Sequence, residues 1–181
     1  MRFTGSDDRK CRSCGIELHH SSIVTDILPS SEHFLDPANA KNSFWYHATD
    51  RSDWMGDLMA DKDEKYGSFP LVHVGTLDAA FSMIAENYVL RDDWIFLYTV
   101  RLAPSAVVDD LLYEDENMWP SRTDQVRRDA SAFRYVNRYE ATGSISLLAD
   151  PRELVIEGMG AMTPWQAEDV IREREVFGAM F

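Results

Sequence analysis

Four short clusters in this 181-residue chain carry side chains able to do chemistry. The first is Cys11-Arg12-Ser13-Cys14-Gly15, with His19 and His20 close behind. Thiolates and imidazoles are the ligands zinc takes in tetrahedral structural sites, so Cys11, Cys14, His19 and His20 form a candidate zinc knuckle, with His33 as a substitute ligand. A glycine after the second cysteine suits the tight turn of such a knuckle. These are the only cysteines, so a disulfide framework is excluded and a surface thiol pair is the plain alternative. The other clusters are Tyr46-His47-Ala48-Thr49, then Val72-His73-Val74-Gly75-Thr76, then the run from Tyr135 to Ser146 that includes Arg138, Tyr139, Glu140 and Ser144. Histidine can hold or move a proton near neutral pH, a carboxylate stabilises developing positive charge, and a guanidinium matches phosphate oxygens. Each cluster also has a plainer role: a hydrogen-bonded strand-end histidine, a turn and helix cap at Gly75-Thr76, a solvated turn around Tyr139-Glu140.

The elements that position these clusters can be read from pattern. Ser43 to Thr49 reads as a buried strand ending in a polar turn. Leu71 to Val74 reads as a short strand, and Thr76 as the N-cap of a helix from Leu77 whose apolar face holds Ala80, Phe81 and Ile84. Trp94 to Leu102 is the clearest strand, with Trp94, Phe96, Tyr98, Val100 and Leu102 on one face. Residues 50–65 hold six acids and read as a solvated helix or loop with Trp54 and Leu58 inward, together with Met55 or Met59. Residues 109–116 hold five more and read as a loop or short helix. Ser144 to Leu148 and Leu154 to Ile156 read as a last hairpin or bent strand pair, broken at Asp150-Pro151. Thr163-Pro164-Trp165-Gln166 has the cap, proline and capping-box glutamine of a helix start, predicting a helix over 164–177. Strands and helices mix without a strict βαβ rhythm, so the expected class is α+β.

Taken together and in this order, His47-Ala48-Thr49, the unit Leu71 to Ala80 and the segment Tyr139 to Pro151 resemble the ADP-ribosyltransferase-like fold. The resemblance covers residues 43–157 and implies a split β-sheet with flanking helices. It implies NAD as substrate: His47 would bind a ribose hydroxyl and Thr49 would support its loop. Tyr46, Tyr98 or Tyr139 would stack on nicotinamide. His73 stands where the family has a tyrosine, and His73, Thr76 and Ser144 join the expected cofactor contacts. Arg138 or Arg134 would pair with the pyrophosphate. Glu140 would hold the ribose 2′-hydroxyl and, with His47, form the catalytic pair. In the family the glutamate opens the last strand; here Ser144-Ile145-Ser146 fills that place and Glu140 lies four residues earlier. The implied function is transfer of ADP-ribose from NAD to a protein or nucleic-acid acceptor, in the manner of small phage or toxin-like effectors. The alternative is a catalytically silent nucleotide-binding or acidic interaction module on the same scaffold.

Charge narrows the partners. The chain has 18 Lys+Arg and 31 Asp+Glu, a formal net charge of -13. That argues against broad binding to a phosphate backbone and favours a small molecule or a basic acceptor protein. The acids cluster at 50–65 and 109–116, while 121–138 carries five arginines against two aspartates. Hydrophobic residues make up 45% and aromatics 12%, enough for a packed core. No stretch approaches the roughly 18 apolar residues of a membrane span, and no apolar leader opens the chain, so the expectation is a cytoplasmic protein. The expected organisation is an N-terminal extension over 1–42 and one domain over 43–181.

Overall fold

The computed structural model describes residues 18–19, 26–60, 71–87, 93–113, 129–138 and 141–178. In chain order the elements are β1 (Leu18–His19), a 3-10 helix (Pro29–Leu35), α1 (Pro37–Asn42), β2 (Phe44–Thr49), α2 (Trp54–Ala60), β3 (Val72–Val74), α3 (Leu77–Asn87), β4 (Ile95–Leu102), β5 (Val108–Tyr113), β6 (Ala132–Val136), β7 (Ile145–Ala149), a 3-10 turn (Pro151–Glu153), β8 (Leu154–Met162) and α4 (Pro164–Gly178). The class is α+β. One sheet has the order β1-β5-β6-β7-β3 and the other β2-β4-β8. They meet where Tyr46 of β2 bridges Gly75, just after β3. Among the described residues no helix is long and apolar enough to cross a membrane.

Local signals hold where chemistry is local. Ala79 N–H donates to Thr76 Oγ1 at 3.2 Å, capping α3. At α4, Thr163 N–H donates to Gln166 Oε1 (2.9 Å) and Gln166 N–H to Thr163 Oγ1 (3.3 Å), the reciprocal capping box. The β4 alternation resolves into two packed faces. Tyr98, Val100 and Leu102 enter the main core with Phe96 against it, while Ile95 and Leu97 pack with Ile84 and Ala167. Trp94 precedes the strand and is exposed. In α2, Trp54 is buried, Met55 packs against the main core and Met59 is exposed.

Two expectations are corrected. The acidic stretch from 109 is not a loop or helix at its start: it forms β5 through Tyr113. Asp109 is buried there because its carboxylate accepts from Tyr113 Oη at 3.0 Å and from Leu111 N–H at 3.2 Å, while Leu112 and Tyr113 fill core positions. Nor do β7 and β8 pair as a hairpin. β7 lies between β6 and β3, and β8 pairs with β4 in the other sheet. The Asp150 carboxylate caps Arg152 N–H at 2.9 Å, and the turn that starts at Pro151 steers the chain from one sheet to the other.

Residues 27–40 pack into the core that both sheets share, through Ile27, Phe34, Leu35 and Ala40. Arg134 of β6 ties them down. Its side chain is fully buried, and its guanidinium donates to the Phe34 carbonyl at 3.1 Å, to that of Leu35, and to those of Asp109 (3.1 Å) and Asp110 (2.8 Å). The planar fork of five donors reaches two separate segments at once, which an ammonium on a lysine stem does not. Gly143 fixes the same region from the other side. Its φ is +85°, and a Cβ there would sit 2.3 Å from the Asp26 carbonyl oxygen. Replacing Arg134 with methionine strands buried carbonyls, and we expect a loss of about 3–5 kcal/mol in the urea unfolding free energy. Arg134→Lys recovers less than half of it; full recovery by lysine would show that charge rather than the fork matters.

Candidate functional site

The bridge between Tyr46 and Gly75 is made by two backbone hydrogen bonds of 2.9 Å, Tyr46 N–H to Gly75 C=O and Gly75 N–H to Tyr46 C=O. Beside it lies a cleft of about 180 Å³ lined from five elements. β2 supplies Tyr46, His47 and Ala48; β3 and its end supply His73, Val74 and Gly75; α3 supplies Ala79, Ala80 and Met83. Tyr135, Asn137 and Ser146 come from β6, its end, and β7. Gly75 is required by close approach: a Cβ would lie 2.9 Å from Ala79 Cβ and 3.2 Å from Ser146 Oγ, in the floor of the cleft. A cavity of ~150 Å³ is enough for a benzene ring, so the enclosed part takes one six-membered ring with a small substituent.

His47 is held on two sides. Its Nδ1 lies 2.9 Å from the His73 carbonyl oxygen. A carbonyl only accepts, so Nδ1 carries the proton and the neutral ring keeps Nε2 as an acceptor. Trp54 stacks on it with ring centroids 4.0 Å apart and planes 9° apart. Burial pushes its pKa down to about 4; the bond to the His73 carbonyl opposes this and the His73 charge adds to it. His73 is also shifted down by burial, and its Nδ1 is 3.0 Å from Tyr135 Oη. The imidazoles are therefore neutral at physiological pH. The walls are apolar, with Val74, Ala79 and Ala80 buried, and the polar atoms gather at a few points, the usual make-up of a ligand site.

Of the expected site residues, the structure brings Tyr46, His47 and His73 together in the cleft. Thr49 is buried two residues on and its Oγ1 accepts from Arg51 N–H at 3.3 Å, holding the loop after β2. Thr76 caps α3 at the rim. Ser144 is buried, its carbonyl accepting from Asn137 N–H at 2.8 Å, but it is not among the lining residues. Arg138 is half-buried just past Asn137. Arg134 is spent on backbone carbonyls and is no candidate for a pyrophosphate. Tyr98 is buried too; its hydroxyl donates to the Ser52 carbonyl at 2.7 Å, away from the cleft. Tyr139 and Glu140 lie outside the described residues. So does the zinc knuckle expected from Cys11, Cys14, His19 and His20, apart from the backbone of His19 in β1. Among the described residues no three His, Cys, Asp or Glu are grouped to hold a metal.

Sequence reasoning placed Tyr135, Asn137 and Ser146 inside one candidate run without giving them a site role, and read the α3 residues as a helix unit with an apolar face. What joins Tyr135 to Ser146 is their register on neighbouring strands, a non-local pairing that the sequence pattern does not reveal. Comparison with protein-family models, curated proteins and solved structures finds no match to the chain.

The neutral imidazole has a thermodynamic consequence. His47 titrates near 4 in the folded chain and near 6.5 unfolded, so between those values the unfolded state binds more protons and stability rises with pH. The contribution is complete above pH ~6.5 and lost as pH falls toward 4, on the order of 3 kcal/mol. His73, shifted the same way, adds to it. Urea unfolding across this window should show the slope, and His47→Gln should flatten it. An equal slope in wild type and variant would mean that His47 is not buried neutral.

Proposed function

We propose that the cleft takes the nicotinamide-ribose end of NAD and that the chain transfers ADP-ribose from NAD to a protein or nucleic-acid acceptor, a basic acceptor protein suiting its acidic surface best. The observation that carries this reading is the convergence of Tyr46, His47 and His73, from separate stretches of sequence, on one cleft where two sheets join. The volume suits one ring, and Tyr46 offers it an aromatic neighbour. The protonated Nδ1 of His47 leaves Nε2 to accept from a ribose hydroxyl. Two α+β sheets with flanking helices are compatible with the scaffold that the resemblance implies.

The chemistry asks for little covalent work. Breaking the nicotinamide–ribose bond builds positive charge at the anomeric carbon, and a cationic imidazole there would oppose it. Neutral His47 and His73 do not. A carboxylate stabilises that charge and can draw the proton from the acceptor nucleophile. Glu140 is assigned that role. A second reading is favoured by one observation: the described lining holds no carboxylate, and Ser146 stands on the strand that follows Glu140. On that reading the module binds a nucleotide without turning it over, and its acidic stretches engage a basic partner.

Incubation with NAD labelled in the ADP-ribose moiety tests both. We expect nicotinamide release or label transfer, lowered about 10²-fold or more by Glu140→Gln with the melting temperature kept. A thermal shift with NAD but no turnover selects the silent reading; neither shift nor turnover overturns both. His47→Asn preserves a donor near Nδ1 and removes Nε2, so it should weaken NAD binding with little change in melting temperature. Cys11 and Cys14 are proposed to hold structural zinc with His19 and His20. Metal analysis of freshly purified chain should give one zinc per chain, and substoichiometric metal would remove the knuckle.

A further inference from the structure

We infer that this chain forms a symmetric dimer by antiparallel pairing of its β8 strand with β8 of a second copy. β8 does not line the cleft, so the dimer does not depend on the NAD reading. It is the outer strand of the β2-β4-β8 sheet and, at nine residues, the longest of the described strands. One side is paired to β4, and the other presents its backbone N–H and C=O groups to no described strand. Such an edge is a template for another strand, and folded proteins normally guard it with lysines, prolines or a covering segment. β8 contains no lysine, arginine or proline. Its one charge, Glu157, leans back toward β4, where Arg101 Nε donates to Glu157 Oε1 at 2.9 Å.

The side chains show what this edge fits. The rungs Leu102–Leu154, Val100–Ile156, Tyr98–Met159 and Phe96–Ala161 put four β8 residues on the sheet face that β4 turns to the main core. Yet Ile156 is 41% exposed and Met159 51%, so the apolar face runs out to the edge and is left in water. A register shift at Thr99/Val100 makes Glu157 an extra residue on β8, and Ile156 and Met159, three apart, therefore share a face. This makes the strand complementary to its own reverse. With a two-fold axis between Glu157 and Gly158, Ile156 meets Met159 of the second copy on the core face. Leu154 then meets Ala161, Val155 meets Gly160, and Glu157 meets Gly158. Larger side chains thus face small ones, and the space beside Gly158 and Gly160 is open: a Cβ on either would meet nothing within 4 Å.

Charge selects the same occupant. The chain carries a net charge of -13, so copies repel at long range and associate only where charge is locally cancelled. The Arg101–Glu157 pair cancels the only charge on β8. A basic peptide would find no unpaired acid on this strand to hold it. A second β8 supplies main-chain partners and matching apolar residues, in the self-complementary manner of a two-fold interface.

The test is sedimentation of the full chain, with melting temperature as the check on folding. Wild type should run as a dimer in the micromolar range, the affinity open to a small interface. Met159→Lys and Ile156→Glu should each weaken dimerisation about tenfold or more, since each sets a charge in the apolar row. Both positions are exposed in the single chain, so melting temperatures of dilute samples should stay near wild type. Mixing the two variants should restore the dimer, because the register sets the introduced lysine opposite the introduced glutamate while the other Ile156–Met159 pair is native. A wild type that stays monomeric overturns the inference. A dimer that survives both substitutions overturns the assignment to β8, and loss in both without recovery on mixing overturns the register. A monomer whose β8 amides gain protection from hydrogen exchange only on adding an arginine-rich peptide gives the edge to a partner peptide and removes the second copy.

Discussion

A single bridge pair governs the arrangement of the cleft. Tyr46 and Gly75 exchange two backbone hydrogen bonds, and among the described strands no longer ladder joins β2 to β3. A full ladder would zip the two sheets into one surface with side chains standing on its faces. One bridge fixes the approach of the sheets at a point and leaves space beside it. It also sets the neighbours of that point. His47 follows Tyr46 directly and His73 precedes Gly75 by two residues, so the antiparallel bridge brings the His47 ring to the His73 carbonyl. Gly75 makes this possible, because a side chain there would collide with Ala79 and Ser146. The glycine, the cap at Thr76 and the first turns of α3 are therefore one device: they bring a helix, a strand end and the second sheet to within contact of one another.

The electrostatics of that device differ from those of the chain as a whole. The protein carries a net charge of -13, yet the described lining of the cleft has neither a carboxylate nor a fixed cation. The stretch over 121–138, with five arginines against two aspartates, is the chain's basic segment. Its one described and fully buried guanidinium, Arg134, binds four carbonyls of two backbone segments. That interaction anchors the segment before β2 and so steadies the strand that carries His47. Its charge is solvated by backbone dipoles and does not act on the cleft. What remains is a neutral pocket with hydrogen-bonding groups, where a ligand is sorted by shape and donor–acceptor pattern rather than by charge.

Much of this could be read in the sequence, and the failures have physical reasons. The caps at Thr76 and Thr163, the strands carrying His47 and His73, and the two-faced β4 strand depend on neighbours within a few residues, and they stand where pattern put them. The β5 strand was hidden because Asp109 and Asp110 look solvated in a string. Asp110 is indeed exposed. The Tyr113 hydroxyl and the Leu111 N–H make the burial of the Asp109 carboxylate tolerable, while the distant Arg134 takes both backbone carbonyls. Non-local pairing likewise sent β7 and β8 to different sheets, although only four residues separate Ala149 from Leu154. In the site, alternation finds which residues share a strand face but not which face meets a helix from elsewhere. So Ser144 was chosen where Ser146 lines the cleft, and Asn137 had no signal beyond lying at a strand end.

The polar groups of the cleft come from two kinds of support, and this bears on where reactivity can reside. His47, His73, Tyr135 and Ser146 sit on strands paired across a sheet, which hold a group to a fixed position. Asn137 opens the turn between β6 and β7, and that turn is pinned at its base by the bonds of Asn137 to Ser144 and Gly143. Glu140 falls in the same connection, three residues from Asn137, and three residues of chain reach at most about 11 Å. Connectivity alone thus bounds the distance of Glu140 from a cleft-lining residue. On the proposed reading, recognition falls to the rigid strands and the acidic group to the connection between them. In such a site the ring can be bound and oriented with the carboxylate contributing little to affinity, and its removal should be felt in turnover rather than in binding.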